Sequence, residues 1–357
     1  MVQRKNTRTI KVGSVGIGGD YPISVQSMTN TKTTEVEATV QQIQRLAAAG
    51  CEIVRLALPN QAAALALASI KKQVDLPLIA DIHFDYRLAL AALEAGVDGL
   101  RINPGNIGSE DKVALVVKAA QKKQVPIRIG VNGGSLEKDL LQQYGGITPE
   151  ALVESALRQV RLLEKLNYRE IKISLKSSEV PSMLQAYKLL ASKVDYPLHI
   201  GVTEAGSLFA GSIKSAVGIG ALLSQGLGDT LRVSLTGDPV EEVRVGYEIL
   251  RALGLRQRGV ELISCPTCGR TEIDLIGLAA QVEEKLRGLE IPLKVAVMGC
   301  PVNGPGEAAQ ADVGIAGGKG RGLVFRKGQV VKTVPESKLL DGLLREIELL
   351  IQERENL

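Results

Sequence analysis

Five segments of this 357-residue chain read as strands with one apolar face and one polar or charged face, and that pattern narrows the folds open to it. They are LRINPG (Leu100–Gly105), IRIGVN (Ile127–Asn132), IKISLK (Ile171–Lys176), LHIGVT (Leu198–Thr203) and LRVSLT (Leu231–Thr236). Successive side chains of a strand point to opposite faces. Arg101 therefore shares a face with Asn103, Arg128 with Asn132, Lys172 with Ser174 and Lys176, and Arg232 with Ser234. The opposite faces are Ile, Leu and Val. A closed barrel satisfies this pattern if its apolar outside lies under helices and its interior is rich in cations.

Strand candidates begin near Pro22, Glu52, Pro77, Gly99, Pro126, Glu170, Pro197 and Thr230, with amphipathic helical patterns between them. The first such pattern, TEVEATVQQIQRLAAAG, ends on Gly50, a helix stop. Eight strand–helix alternations predict a (β/α)8 barrel in the α/β class. A doubly wound open sheet is the rival, but its strands are covered on both sides and carry no repeated polar face. The segment TIKVGSVGIGGD before Pro22 reads as a short hairpin plugging the barrel's bottom. After GLRQRGVEL the pattern changes to SCPTCG, a helix, the strand LKVAVMG, a glycine-rich stretch, the hairpin LVFRKGQVVKTV and a last helix. The barrel is accordingly assigned residues 1–258, and a small α+β domain residues 259–357.

The net charge of +4 is too small to imply nucleic-acid binding, so the position of the cations matters more than their number. No apolar run approaches the roughly 18 residues of a membrane span, and the N-terminus has no apolar signal-peptide core. A cytoplasmic protein with no membrane or nucleic-acid partner is expected. Its four cysteines are then thiols or metal ligands rather than disulfides.

Nearly every strand contributes to the polar face. Arg55 comes from the second strand, Asp81 and His83 from the third, Arg101 and Asn103 from the fourth, and Arg128 and Asn132 from the fifth. Lys172, Ser174 and Lys176 come from the sixth, His199 from the seventh, and Arg232 and Ser234 from the eighth. Interior cations are costly unless paired. One aspartate, even with Glu204 just past the seventh strand, does not neutralise Arg55, Arg101, Arg128, Lys172, Lys176 and Arg232. A bound polyanion of diphosphate size supplies the missing charge, and guanidinium groups suit phosphate oxygens. Glycine-bearing loops (NPGNIG, NGGS and TEAGS) follow the fourth, fifth and seventh strands, where barrel enzymes place their chemistry. His83 and His199, the chain's two histidines, are read as ligand-contacting, and Asp81 and Glu204 as the nearby proton carriers.

Cys265 and Cys268 form a C-x-x-C motif, and Cys300 follows a strand. Three thiolates leave a metal site one ligand short, and no histidine in this region completes a Cys₃His zinc site. Glu307 is the best local candidate for the fourth position. An iron–sulfur cluster with a weaker, exchangeable oxygen ligand is one reading. Structural zinc or unliganded thiols are the others. Cys51 reads as a core thiol.

The motifs IADIHF, RINPGNIG, RIGVN, LEKDLL, PLHIGVTEAG, RVSLTGDP, SCPTCGR and MGCPVNGPGEA resemble, nearly end to end, the 4-hydroxy-3-methylbut-2-enyl diphosphate synthase family of the non-mevalonate isoprenoid route. The resemblance implies an oxidoreductase with a TIM barrel joined to a ferredoxin-like domain similar to part of sulfite and nitrite reductases. It implies one 4Fe-4S cluster per subunit on Cys265, Cys268, Cys300 and Glu307. The implied reaction opens the ring of 2-C-methyl-D-erythritol 2,4-cyclodiphosphate and expels the C3 hydroxyl, using two electrons from ferredoxin or flavodoxin. The implied assembly is a homodimer in which one subunit's cluster domain closes over the other's barrel. This is the shorter bacterial type.

On that basis Arg55, Arg101, Arg128, Lys172, Lys176 and Arg232 clamp the diphosphate, while Asn103, Asn132, His199 and Ser234 orient it. The iron at Glu307 serves as Lewis acid and electron donor, and Glu204 or His83 delivers the proton to the departing hydroxyl. A non-redox aldolase or synthase with a zinc domain is the competing enzyme reading. An RNA-binding module is weaker, because the chain lacks stacking aromatics.

Overall fold

The computed structural model describes residues 2–300, 306 and 308–355. A hairpin of β1 (Ile10–Val12) and β2 (Val15–Ile17) precedes eight parallel strands. These are β3 (Ser24–Met28), β4 (Ile53–Ala57), β5 (Leu78–Asp81), β6 (Gly99–Ile102), β7 (Ile127–Asn132), β8 (Ile171–Lys176), β9 (His199–Ile200) and β10 (Thr230–Leu231). Each predicted strand is present. Neighbours follow chain order, β10 returns to pair with β3, and the bridge Ile173–Leu198 joins β8 to β9. The result is a TIM barrel.

The connecting helices are α1 (Val36–Ala48), α2 (Gln61–Lys71), α3 (Tyr86–Glu94), α4 (Pro104–Ile107), α5 (Glu110–Lys123), α6 (Lys138–Tyr144), α7 (Pro149–Lys165), α8 (Val180–Ala191), α9 (Leu208–Leu223) and α10 (Pro239–Ala252). Their starts follow local chemistry. The Thr148 hydroxyl accepts from Ala151 N–H at 3.2 Å and Asp238 from Val240 N–H at 3.0 Å, each followed by a proline at the first helical position. The short helices α4 and α6 were not anticipated. They occupy the loops after β6 and β7.

Val54, Leu56, Leu78, Ala80, Leu100, Ile102 and their counterparts join the helices in one continuous core. The alternate residues point inward. At the barrel's bottom, Ile10, Val12 and Ile17 of the hairpin pack on Ile53 and Ile79. The hairpin is therefore a plug, and the polar interior opens only toward the C-terminal ends of the strands.

Contacts divide the chain into Met1–Arg256 and Gln257–Leu357. The second unit is an α+β domain. Its sheet runs in chain order through β11 (Val260–Ser264), β12 (Leu293–Met298), β13 (Val313–Gly318), β14 (Arg321–Arg326) and β15 (Gln329–Pro335). The first three strands are parallel and the last two antiparallel. Helices α11 (Leu275–Leu286) and α12 (Leu339–Glu355) cover one face, packing on Val295, Val297, Ile315 and Val324. Ala296, Met298, Ala316 and Phe325 form a smaller cluster of their own. Among the described residues, no helix is long and apolar enough to cross a membrane.

Two strands departed from expectation. β11 was not recognised, and β13 lies inside the stretch read only as glycine-rich. Its glycines make room for neighbours rather than turns. A Cβ on Gly314 would sit 2.4 Å from the Phe325 ring across the ladder and 2.8 Å from the Ala296 side chain. Gly314→Ala is therefore expected to destabilise the second domain by about 1–3 kcal/mol through overpacking. Denaturant unfolding monitored on that domain checks this, and an unchanged midpoint would remove the packing explanation.

Candidate active site

The inward alternation places Arg55, Asp81, Arg101, Arg128, Lys172, Lys176 and His199 inside the barrel, all buried. Arg128 and Lys172 are each only 1% exposed and His199 is fully buried, which is extreme for residues of these types. The apolar face packs outward, so these cations are interior groups rather than solvated ones.

Asp81 is the hub. It accepts from Arg101 Nη1 at 3.1 Å and lies 3.5 Å from Arg55 Nε and 3.7 Å from His83 Nε2. Burial opposes its ionisation, but Arg55, His83, Arg101 and Arg128 outweigh that and hold the carboxyl well below the usual range. Gly130 lets Arg101 lie flat across β7, since a Cβ there would meet Arg101 Nε at 2.5 Å. Asn132, with its carboxamide oxygen turned inward, accepts from Arg101 Nη2 at 3.2 Å.

One expectation needs correction. The comparison of six cations with one strand carboxylate overlooked Glu242 of α10, which is buried. It accepts from Arg232 Nε at 3.2 Å and Nη2 at 3.1 Å, and also from Leu235 N–H and Ser27 Oγ, both at 3.0 Å. Arg232 is thus already neutralised. Glu242 lies on the buried stripe with Pro239, Val243, Gly246 and Tyr247. A carboxylate in such a stripe was the available signal. Met28 was also missed: its Sδ accepts from Arg55 Nη2 at 2.9 Å and faces Arg232 Nη1 at 3.8 Å.

Positive charge is still in excess. Among the described residues, Arg128 Nε and Nη2, Lys172 Nζ and both ring nitrogens of His199 are buried without a hydrogen-bond partner. Burial and then neighbouring cations drive the Lys172 and Lys176 ammonium groups and the His199 imidazolium well below their ordinary pKa values. Burial likewise lowers Arg55, to about 10. Arginine keeps its charge at physiological pH, so the lysines and His199 are the groups that respond to a ligand.

At the mouth, the His83 side chain is 55% exposed and its Nε2 lies 3.4 Å from Arg101 Nη1. Glu204 is exposed, with φ of +51°, a left-handed conformation that a non-glycine residue adopts only under constraint. Ser234 is half-buried. Asn103 is buried and accepts from Gly105 N–H at 3.2 Å, capping α4. The expected anion loop after β6 is thus a one-turn helix, and NGGS after β7 is a 3₁₀ turn over Gly133–Ser135.

In the second domain, Cys265 follows β11 and Cys300 lies just past β12, the adjacent parallel strand. Cys265 Sγ accepts from Gly299 N–H at 3.3 Å. The turn bearing Cys268 docks on the same corner, with Glu272 N–H donating to Gly299 O at 3.0 Å. Arg270, first through its backbone and then its side chain, lowers the Cys268 thiol. All four cysteines are free, and Cys51 is a buried core thiol pushed up to about 12 by burial. Among the described residues, no group of three His, Cys, Asp or Glu is assembled to hold a metal ion. Glu307 lies outside the described residues. Free thiols at neighbouring strand ends, one already accepting a backbone N–H, suit iron–sulfur ligation.

Two predictions follow from this charge distribution. Glu242→Gln keeps shape but leaves Arg232 uncompensated, at a cost of roughly 3 kcal/mol. Adding Arg232→Met should recover more than half of that loss in denaturant unfolding, and no recovery would disprove the coupling. Separately, a bound anion raises depressed lysine and histidine pKa values, so binding must take up protons. Calorimetric titration with inorganic pyrophosphate at pH 8, in buffers of different ionisation enthalpy, should show net uptake. Buffer-independent heats would contradict it.

Comparison with known proteins agrees over both units. The GcpE TIM-barrel domain matches residues 7–247 and the GcpE protein C-terminal domain matches residues 261–349. The chain is 64% identical to the 4-hydroxy-3-methylbut-2-en-1-yl diphosphate synthase (flavodoxin) of Geobacter sulfurreducens over 351 residues, 98% of this chain and 99% of that protein. It is 62% identical over 350 residues to the protein of that description from Caldanaerobacter subterraneus subsp. tengcongensis, again 98% and 99% of the two chains. Among solved structures, dihydropteroate synthase from Stenotrophomonas maltophilia matches 70% of this chain and 98% of its own, with a TM-score of 0.51 at 14% identity. Likeness at that identity shows the barrel alone.

Proposed function

The chain belongs to the 4-hydroxy-3-methylbut-2-enyl diphosphate synthase family, and we propose how its residues divide that enzyme's work. It is an oxidoreductase that converts 2-C-methyl-D-erythritol 2,4-cyclodiphosphate to 4-hydroxy-3-methylbut-2-enyl diphosphate with flavodoxin as electron donor. Two electrons and two protons open the ring at C2 and release the C3 oxygen as water, while both phosphates stay on the product.

The observation carrying the assignment of roles is the set of buried, unpartnered nitrogens on Arg128, Lys172 and His199. A diphosphate in the barrel satisfies them and offsets the surplus charge. Arg55, Arg101, Arg128, Lys172 and Lys176 form the clamp. Arg232, shared with Glu242, contributes direction more than charge. Asn103, Asn132 and Ser234 orient the ligand. His199, neutral in its buried position, donates a hydrogen bond and accepts a proton as the anion arrives.

Asp81 belongs among the candidate catalytic groups for a positioning reason. A carboxylate held ionised by two guanidinium groups is a poor proton donor, and it fixes Arg55 and Arg101 instead. Glu204 and His83, at the mouth, are the groups placed to protonate the departing hydroxyl. The left-handed backbone at Glu204 fixes where its side chain leaves the loop after β9. The barrel's closed bottom excludes water from beneath, which strengthens every charge interaction inside.

Cys265, Cys268, Cys300 and Glu307 would hold one 4Fe-4S cluster per subunit. When bound, that group supplies the electrons and a Lewis-acidic iron. We further place the protein in the cytoplasm as a homodimer.

Anaerobic purification tests the cluster. The protein should be brown, with iron and sulfide in equal amounts, and Cys300→Ser should lose colour and turnover together. A zinc-loaded, colourless protein, or a Ser variant that still turns over, would rule the ligand assignment out.

A further inference from the structure

Between β8 and β9 the barrel ladder is interrupted, and a tyrosine hydroxyl fills the interruption. Ile173 N–H donates to the Pro197 carbonyl at 3.0 Å, as a parallel β8–β9 ladder requires. The next rung should join Leu175 N–H directly to the carbonyl of His199. Instead Leu175 N–H donates to Tyr187 Oη at 3.1 Å, and that hydroxyl donates to the His199 carbonyl at 2.5 Å. Higher up, Thr203 N–H again reaches a β8-side carbonyl, that of Ser177, at 3.4 Å. The widening is therefore local. Tyr187 comes from α8, and its ring is wholly buried in the apolar core outside the barrel.

This position bears on the interior. Leu175 points outward between Ser174 and Lys176, which point inward, and His199 points inward from the other strand. Paired strands sit about 4.8 Å apart. The Ile173–Leu198 register sets Ser174 opposite His199 with Lys176 the next inward residue, so a hydroxyl inserted into this rung holds His199 away from both along the barrel's inner circumference. The hydroxyl satisfies both the Leu175 N–H and the His199 carbonyl, so neither end of this rung is left unpaired. Phenylalanine would have filled the same apolar space without the spacer. Burial keeps the phenol protonated, raised above its ordinary value, so the hydroxyl retains its proton for donation.

We propose that Tyr187 is a positioning residue whose hydroxyl, held as a spacer between β8 and β9, sets the separation of Lys176 and His199 and so the size of the diphosphate chamber. The proposal rests on the barrel interior being the substrate site. Tyr187→Phe removes the spacer while preserving the ring. Its expected effect is about a tenfold weaker Kd for inorganic pyrophosphate and a comparable rise in KM for the cyclic diphosphate, the scale of one misplaced charge-assisted hydrogen bond. kcat should stay within about twofold, because the groups at the mouth are untouched.

A merely structural tyrosine would lower the melting temperature and the active fraction, leaving Kd and KM alone. Unchanged values in folded Tyr187→Phe overturn the proposal. Arg128→Gln, measured alongside, separates the two levels of inference. If it too binds pyrophosphate normally, the barrel site itself is wrong. If it loses binding while Tyr187→Phe does not, only the spacer role fails. Should the phenylalanine variant not fold, 3-fluorotyrosine placed at position 187 keeps ring and hydroxyl. Its fluorine resonance should shift as pyrophosphate saturates the protein, and a resonance that stays put refutes the role.

Discussion

Positive side chains packed inside a closed barrel repel one another, and Asp81 is the carboxylate that keeps them there. Two unit charges about 5 Å apart interact by roughly 3 kcal/mol at an effective dielectric of 20. Several such pairs among Arg55, Arg101, Arg128, Lys172 and Lys176 would approach the whole stability of a domain. Asp81 bridges Arg55 and Arg101 and so offsets the repulsion between them. It does nothing direct for Lys172. The chamber is therefore built under charge stress, and the diphosphate we place there relieves it. Ligand affinity and proton uptake are two consequences of one electrostatic imbalance.

The rest of the barrel supports that imbalance. The hairpin seals the bottom with Ile10, Val12 and Ile17, keeping the dielectric low beneath the charges. Glu242 reaches in from α10 and takes Arg232 out of the count. Met28 offers a soft acceptor to Arg55 without adding negative charge. Tyr187 spaces β8 from β9 where Lys176 and His199 need room. Of these four devices only Glu242 is charged, and its charge is spent on Arg232, leaving the other cations to an incoming anion.

The second domain works differently. Its thiols sit on the ends of adjacent strands β11 and β12, so the sheet's register, rather than a folded loop, brings Cys265 and Cys300 to one corner. Gly314 and Gly317 of β13 serve packing against Phe325 and Ile273. Composition marked that segment only as glycine-rich and gave no strand, because glycine has low strand propensity when its neighbours are unknown.

The sequence alone determined the barrel, its polar interior and the identity of most residues in it. Strand periodicity is local, and a face of Arg, Lys and Asn opposite Ile, Leu and Val has one comfortable arrangement in a closed sheet. The motifs carried the family for the same reason, being short and contiguous. Only the tertiary structure decided which charges were already paired. Glu242 neutralises Arg232 from a neighbouring helix, and Tyr187 props apart strands whose sequences give no sign of a gap. Both contacts join residues on different elements, where distance along the chain says nothing about distance in space.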